Sequence, residues 1–392
     1  MNETPRRYLL LVNHLARAGM ELQLMHLARG LATAGHEVTI GCIEVRTDVS
    51  DLERDGVRVV ELSGNSRFAR MAAIPKIARL ARNFDLVHCT EWDASLWGRM
   101  AAVLARRPTI VTEHTLDRGI QVSEAGASRG KAIALHHKLL GPSTYAIVYV
   151  AADQAEVLLA EDVPPAKLVH IPNGVPLEHI REVAASGLTR ADIGVPQDAK
   201  VVMHVARFYA MKRQSWTLEA VRRLREELGD VHAVFVGKGP DLEAFQQRIR
   251  DMGAEGWAHV LGVRDDVPAV LNLADLAVLP SSTEALPMTM IEAMAVGVPQ
   301  VTTEVGELGP TLRDADAGLT VPVEDLDAFH VACRAVLSDL ELHARLRDGG
   351  LSAVDEFDAA RMVGRYAALF EAAISGRPRE LARAAVGAVE TR

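Results

Sequence analysis

The segment Leu276-Ala277-Val278-Leu279-Pro280-Ser281-Ser282-Thr283-Glu284-Ala285-Leu286-Pro287-Met288-Thr289-Met290-Ile291-Glu292-Ala293-Met294-Ala295-Val296-Gly297 reads as strand, loop and helix in succession. Leu276 to Leu279 is a short unbroken apolar run closed by Pro280, the pattern of a parallel strand buried on both faces. Beyond the loop, Met290, Ile291, Met294 and Ala295 recur at helical spacing, and Gly297 supplies the residue type that ends many helices. Glu284 therefore falls in the loop at the C-terminal end of the strand, and Glu292 about two turns further on, within the helix. Between the two acids, Leu286, Pro287, Met288 and Thr289 open the helix, whose N–H groups and dipole favour a phosphate. One unit can thus hold two acids on either side of a helix start that suits a phosphate.

Outward from this segment the same alternation continues. Upstream lie strands at Val201–Val205, Val231–Val236 and Trp257–Leu261, separated by helices at Gln214–Leu228, Leu242–Met252 and Val267–Ala274. The first half repeats the pattern, with strands at Tyr8–Val12, Glu37–Ile43, Val57–Glu61, Leu86–Cys89, Thr109–Thr112, Tyr145–Val150 and Leu168–Ile171. Around 173–199 the texture becomes polar and is broken by Gly187, Gly194 and Pro196. The expected fold class is α/β, with two Rossmann-like, doubly wound parallel-sheet domains whose strand C-termini face a central cleft. The expected boundaries are 1–180, a linker at 181–199, and 200–360, with an amphipathic helix at about 361–375 returning to pack on the first domain.

A chain of 392 residues exceeds one ordinary core, and 49% hydrophobic residues suffice to fill two. Aromatics make up only 4%, so the cores must be aliphatic. The net charge of −9, from 43 basic and 52 acidic residues, argues against a nucleic-acid partner. Cys42, Cys89 and Cys333 lack the paired spacing of a zinc or redox site and read as buried reduced thiols. No apolar run approaches the ~20 residues of a membrane span. The polar start, Met1 to Arg7, does not resemble a signal peptide, so a soluble cytoplasmic protein is expected.

Several further residues carry chemistry at strand ends. Arg207 and Lys212 follow Val201–Val205, where guanidinium and ammonium could converge on one anion; two solvated loop cations is the bland alternative. Gly237 and Gly239 after Val231–Val236 permit close backbone approach to a ligand, or simply a tight turn. Val263 and Arg264 after Trp257–Leu261 could wall a nucleobase; a plain turn capped by Asp265 fits equally well. His204 lies inside a strand and reads as a core residue.

Taken together, Arg207…Lys212, Gly237-Lys238-Gly239-Pro240, and Glu284 with Glu292 after seven intervening residues resemble the retaining glycosyltransferases of family 4, which have the GT-B fold. Arg17-Ala18-Gly19-Met20-Glu21 resembles that family's Gly-Gly-x-Glu loop, and Ile171-Pro172-Asn173-Gly174-Val175 its Pro-Asn-Gly-Val segment. The resemblance extends over nearly the whole chain. It implies that Arg207, Lys212, Gly19 and the 286–289 loop hold a donor diphosphate, that Glu292 takes the ribose, and that Glu284 meets the donor sugar. His114, after Thr109–Thr112, would be the active-site histidine. Ala18 and Ala285 stand where the family usually has glycine, which bears on donor-sugar selectivity.

The implied reaction is transfer of a hexose or N-acetylhexosamine from a nucleoside-diphosphate sugar, UDP favoured, to a hydroxyl of a glycan, lipid-linked or small-molecule acceptor. No metal or other cofactor is expected, since cations and helix N–H groups can stabilise the leaving diphosphate. The acceptor would dock on the N-terminal domain near Trp92 and Asp93, with Glu91, Asp117 and Arg118 as neighbours; Trp97 fits this pocket or the core. The basic, amphipathic segment 67–82 suits either an anionic membrane surface or an ordinary sheet-covering helix interrupted by Pro75. Two other classes are weighed. A non-catalytic GT-B subunit would be expected to lose some of the charged positions that are kept here. A dinucleotide oxidoreductase lacks its Gly-x-Gly-x-x-Gly, as Asn13-His14-Leu15-Ala16-Arg17-Ala18-Gly19 holds one glycine.

Overall fold

The computed structural model describes residues 4–16, 19–62, 67–90, 92–114, 135–379 and 386–387, with the backbone alone at 67–71, 92 and 93. The chain divides into two compact units, one made of the residues up to Gly174 and from Phe357 onward, the other of Val175–Glu356.

In the first unit, seven strands among the described residues form one parallel sheet. They are β1 (Arg7–Leu15), β2 (Glu37–Val45), β3 (Val57–Glu61), β4 (Leu86–Thr90), β5 (Thr109–Glu113), β6 (Thr144–Tyr149) and β7 (Leu168–His170), in the order β3-β2-β1-β4-β5-β6-β7. The unbroken apolar run of β1 is explained by cover on both faces. Tyr8, Leu10 and Val12 enter the cluster shared with helices Gly19–Thr33 and Ala359–Ile374. Leu9 and Leu11, on the opposite face, pack with residues of helices Arg67–Ala81 and Trp92–Ala105. Pro75 lies inside the first of these helices and does not interrupt it as expected. Its ring removes one helical N–H, and burial of Ile74, Ile77, Ala78 and Ala81 offsets that loss. Lys76, Arg79 and Arg82 are exposed near the end of this helix, where cations complement the dipole.

The second unit has six strands among the described residues: β8 (Lys200–Val205), β9 (Val231–Val236), β10 (Ala258–Gly262), β11 (Leu276–Leu279), β12 (Gln300–Thr303) and β13 (Gly318–Val321). They run parallel in the order β10-β9-β8-β11-β12-β13. Val202, Phe235 and Val278 face one apolar cluster, and Val201, Met203, Val234 and Ala277 the other. No helix among the described residues is long and apolar enough to cross a membrane.

The chain passes between units at Gly174/Val175 and returns at Glu356/Phe357, not through a linker at 181–199. Those residues belong to the second unit: helix Leu177–Ala184 buries Leu177 and Ile180, and Ile193, Val195 and Ala199 join its core. The few apolar residues of this polar stretch are the ones it buries. At the crossing, Gln23 Nε2 donates to Gly174 O at 2.7 Å, and Gly174 N donates to Gln23 Oε1 at 2.9 Å. A side chain at Gly174 would meet Met362 and the backbone of Ala359 at about 3 Å. Helix Ala359–Ile374 returns to the first unit, burying Met362, Tyr366, Leu369 and Phe370, and its Val363 occupies the space above Gly30.

The Phe370 ring lies tilted against Tyr8 and His88, with centroids 5.2 and 5.6 Å apart. Phe370→Ala should destabilise the first unit by ~3–5 kcal/mol, read as an earlier denaturant transition. Arg6→Ala, which loses a partly exposed ion pair to Glu371, should shift that transition by under ~1 kcal/mol. Equal effects would show that the returning helix is not part of this core.

Candidate active site

The strand order of the second unit reverses between β8 and β11, since successive strands run outward from that pair in opposite directions. At such a switch point the two following loops diverge and leave a crevice at the strand C-termini. The loop after β8 carries Arg207 and Lys212; the loop after β11 carries Glu284. Lys212 Nζ donates to Glu284 Oε1 at 2.5 Å, with the lysine side chain 19% exposed and the carboxylate 8%. Ser281 Oγ donates to the same oxygen at 2.7 Å. The backbones are tied as well, Ser282 N donating to Met211 O at 2.8 Å.

A third loop, after β12, closes on the second. Glu307 N donates to Ala285 O at 2.9 Å, and Thr303 Oγ1 donates to Ser281 O. Gly306 has φ +52°, and a Cβ there would stand 2.2 Å from Glu284 O, so only glycine permits this approach. Gly237 and Gly239 are explained in the same way. Their Cβ positions lie 2.1 Å from Ala206 O and Phe208 O, so these glycines let two protein loops meet. That is the turn reading of the pair, with the Arg207 loop braced from below.

Helix Met288–Ala295 begins after Pro287, with Leu286 and Met288 buried. The N–H groups of Met288 and Thr289 fall in its first turn, where no intrahelical acceptor exists. Glu292 lies within this helix, and burial pushes its carboxyl up to about 7. Arg207 is exposed; its Nη2 donates to Tyr209 Oη at 2.9 Å, and its guanidinium carbon lies 4.9 Å from the ring centroid. Arg207 therefore bonds to Tyr209, while Lys212 bonds to Glu284. Val263 is 59% exposed beyond β10, and Arg264 makes a bidentate pair with Asp266 at 2.7 and 2.6 Å. His204 is a core residue as read from sequence, its Nδ1 2.9 Å from Thr217 Oγ1; burial, with the charge of Lys212 adding, pushes it down to about 3.

In the first unit, His114 follows β5, and burial pushes its pKa down to about 4, so the ring is neutral near pH 7. Beneath it, His88 Nε2 lies 2.8 Å from Thr112 Oγ1, itself 2.9 Å from Tyr366 Oη. Trp97 is buried, its Nε1 donating to Asn13 Oδ1 at 3.3 Å, which favours the core reading. Gly19 starts helix Gly19–Thr33 with open space where a side chain would be. Trp92 and Asp93 begin helix Trp92–Ala105, but their side chains lie outside the described residues, as do Arg17, Ala18, Glu91, Asp117 and Arg118. Among the described residues no group of three or more His, Cys, Asp or Glu side chains has metal-holding geometry.

Sequence reasoning gave Ser281, Tyr209, Thr303 and Gly306 no role. Ser281 stood inside the quoted segment, yet a serine in a loop carries no signal until its partner is known. Gly306 follows a strand that no apolar run announced.

Comparison with known proteins identifies the family. Residues 199–339 match the family described as Glycosyl transferases group 1, and residues 18–174 the Glycosyl transferase 4-like domain. The chain belongs to the family 4 glycosyltransferases and has their GT-B architecture of two Rossmann-like units. It is 27% identical over 338 residues to the phosphatidyl-myo-inositol mannosyltransferase of Mycolicibacterium smegmatis, covering 83% of each chain. It is 26% identical over 296 residues to the UDP-Gal:alpha-D-GlcNAc-diphosphoundecaprenol alpha-1,3-galactosyltransferase of Escherichia coli, covering 73% of this chain and 75% of that one. Among solved structures, Anabaena HepE in complex with UDP-glucose superposes with a TM-score of 0.82 at 19% identity, over 94% of this chain and all of that one.

The raised carboxyl of Glu292 has a definite sign. Its protonated form is favoured in the fold, so the stability it contributes is fully present below pH 4.5 and lost as pH rises through about 7. Thermal midpoints of the wild type should therefore fall relative to Glu292→Gln between pH 4.5 and pH 8. Parallel curves would show that this carboxyl is hydrated in the folded chain.

Proposed function

We propose that this glycosyltransferase is a retaining enzyme that moves a hexose or N-acetylhexosamine from a nucleoside-diphosphate sugar, UDP favoured, to an acceptor hydroxyl. The observation that carries the proposal is the Lys212–Glu284 pair, set at the switch point of the second unit beside the start of helix Met288–Ala295. The cation and the first-turn helix N–H groups there match the diphosphate of a donor, Glu284 its sugar hydroxyls, and Glu292 its ribose.

In this reading Lys212, Arg207 and the N–H groups of Met288 and Thr289 take the diphosphate. Glu292 accepts from the ribose hydroxyls, and Glu284 from hydroxyls of the donor sugar. Val263 and Arg264 border the base, with Gly237 and Gly239 shaping the loop beneath. In the first unit, the roles assigned by resemblance go to His114, whose ring is neutral near pH 7, and to Gly19, with the acceptor assigned to the surroundings of Trp92 and Asp93.

Chemically, the bond between the anomeric carbon and the diphosphate oxygen breaks as the acceptor oxygen bonds to the same face. The acceptor proton passes to the departing phosphate oxygen. Charge grows on that oxygen, and fixed donors placed there stabilise it without reorganising. Neutralisation of the leaving group is assigned to side chains and helix dipole, so turnover is expected without added divalent cation. The UDP preference is supported by the galactosyltransferase relative, named for UDP-Gal, and by HepE, crystallised with UDP-glucose.

Lys212→Ala and Glu292→Ala should each lower nucleoside-diphosphate release from the preferred nucleotide sugar by ~10²–10³-fold. Glu292→Ala should keep its thermal midpoint near wild type, whereas Lys212→Ala, which leaves Glu284 without its cation, should lower it. That donor is found first by thermal-shift screening with UDP, GDP and ADP. Wild-type turnover in both variants would refute the assignment, and donor binding with neither transfer nor hydrolysis would make the chain a binding subunit.

A further inference from the structure

Glu284 receives two hydrogen bonds, and both land on one oxygen. Lys212 Nζ stands 2.5 Å and Ser281 Oγ 2.7 Å from Oε1. Among the described residues Oε2 accepts no hydrogen bond, and it is absent from the buried polar atoms without a partner, so it keeps some solvent-accessible surface. The carboxylate is thus gripped on one side and presented on the other. The two grips differ in kind. Lys212 is a flexible cation, and on the reading above it must also meet a diphosphate. Ser281 has no such second duty.

Ser281 is itself immobilised. It is completely buried, its carbonyl accepts from Thr303 Oγ1 at the end of β12, and the next residue bonds through its N–H to Met211 O. The peptide group after Ser281 is therefore tied to both neighbouring strand-end loops. A hydroxyl on so fixed a backbone defines where Oε1 must sit.

We propose that Ser281 is a positioning residue for the donor sugar. It holds Glu284 with Oε2 turned outward while Lys212 shifts its charge toward an incoming diphosphate. This inference rests on the donor-site reading above and adds an order to it. The lysine can be drawn off by the diphosphate, and the carboxylate keeps its aim because the serine stays. An interaction of this kind matters little for binding the nucleoside diphosphate alone. It matters once a sugar is attached and the anomeric bond must be aligned.

The experiment compares Ser281→Ala and Ser281→Thr with wild type, using UDP for binding and UDP-glucose and UDP-N-acetylglucosamine for turnover. Ser281→Ala should bind UDP within about twofold of wild type yet lose about tenfold or more in kcat, the scale of one hydrogen bond to a charged group. Ser281→Thr, which keeps the hydroxyl, should recover most of that loss; if its extra methyl lowers the thermal midpoint, the alanine variant alone decides. Unchanged kcat in Ser281→Ala, with activity lost in Glu284→Ala, would overturn the role of the serine and leave the donor site standing. Loss of UDP binding together with kcat would make Ser281 a support of the loop fold, which also overturns the proposal. A wild-type chain that neither binds UDP nor turns over either sugar would remove the UDP reading and the serine's role with it.

Discussion

The contact between Lys212 and Glu284 joins the loops that follow β8 and β11, and the rest of the second-unit site is arranged around it. Both side chains are largely withdrawn from water, so the pair forgoes most of its hydration and gains Coulombic attraction in a medium less polar than bulk solvent. Such a pair is a weak source of net stability, because well-packed apolar side chains in its place often do as well or better. Removing one partner is another matter, since it strands the other charge and costs ~3–5 kcal/mol. A fold that keeps an ion pair at the divergence of two loops therefore gains little in stability from it. What it gains is a cation and a carboxylate brought together where the topology leaves a crevice.

The surrounding backbone holds that geometry by close approach. At Gly237, Gly239 and Gly306 a carbonyl oxygen occupies the place of a side chain, 2.1 to 2.2 Å from where a Cβ would sit. Each contact joins one strand-end loop to the next, so the loops after β8, β9, β11 and β12 form a continuous brace. The glycines serve rigidity, through contacts that any other residue would break. This is why Gly237 and Gly239 announced a special backbone in the sequence without revealing whether ligand or protein would fill the space.

The elements legible in the sequence were those that parallel sheets make conspicuous. A strand covered on both faces must be largely apolar, so Tyr8–Val12 of β1, Ala233–Val236 of β9 and the whole of β11 stood out as apolar runs. β12 and β13 did not, because Gln300-Val301-Thr302-Thr303 and Gly318-Leu319-Thr320-Val321 mix polar residues and a glycine with the apolar ones. Gln300 Nε2 donates to Met290 O. The supposed linker misled for a related reason. Its polar composition hid that Ile193, Val195 and Ala199 fall where the second core needs them, and the boundary expected at 180 cut through helix Leu177–Ala184. At the site, the charged residues could be read from their spacing and resemblance, since each follows a strand. Pairing could not be. That Lys212 meets Glu284 while Arg207 rests on Tyr209 depends on side-chain reach across loops far apart in sequence.

Charge bookkeeping in the proposed donor site leads one step further. Before a donor arrives, the charge of Lys212 is already balanced by Glu284, and Arg207 lies on an exposed tyrosine ring. A second ionised acid close by would make the site repel the diphosphate it has to bind. Glu292 is that second acid, and burial holds its carboxyl near 7, so near neutral pH it is protonated for much of the time. The neutral form leaves the helix start at Met288 attractive to an anion, and it can exchange hydrogen bonds with ribose hydroxyls without carrying a full charge. In the proposed donor site, desolvation of this one carboxyl would meet two demands that conflict on paper: an acid for the ribose, and a field that still draws in a phosphate.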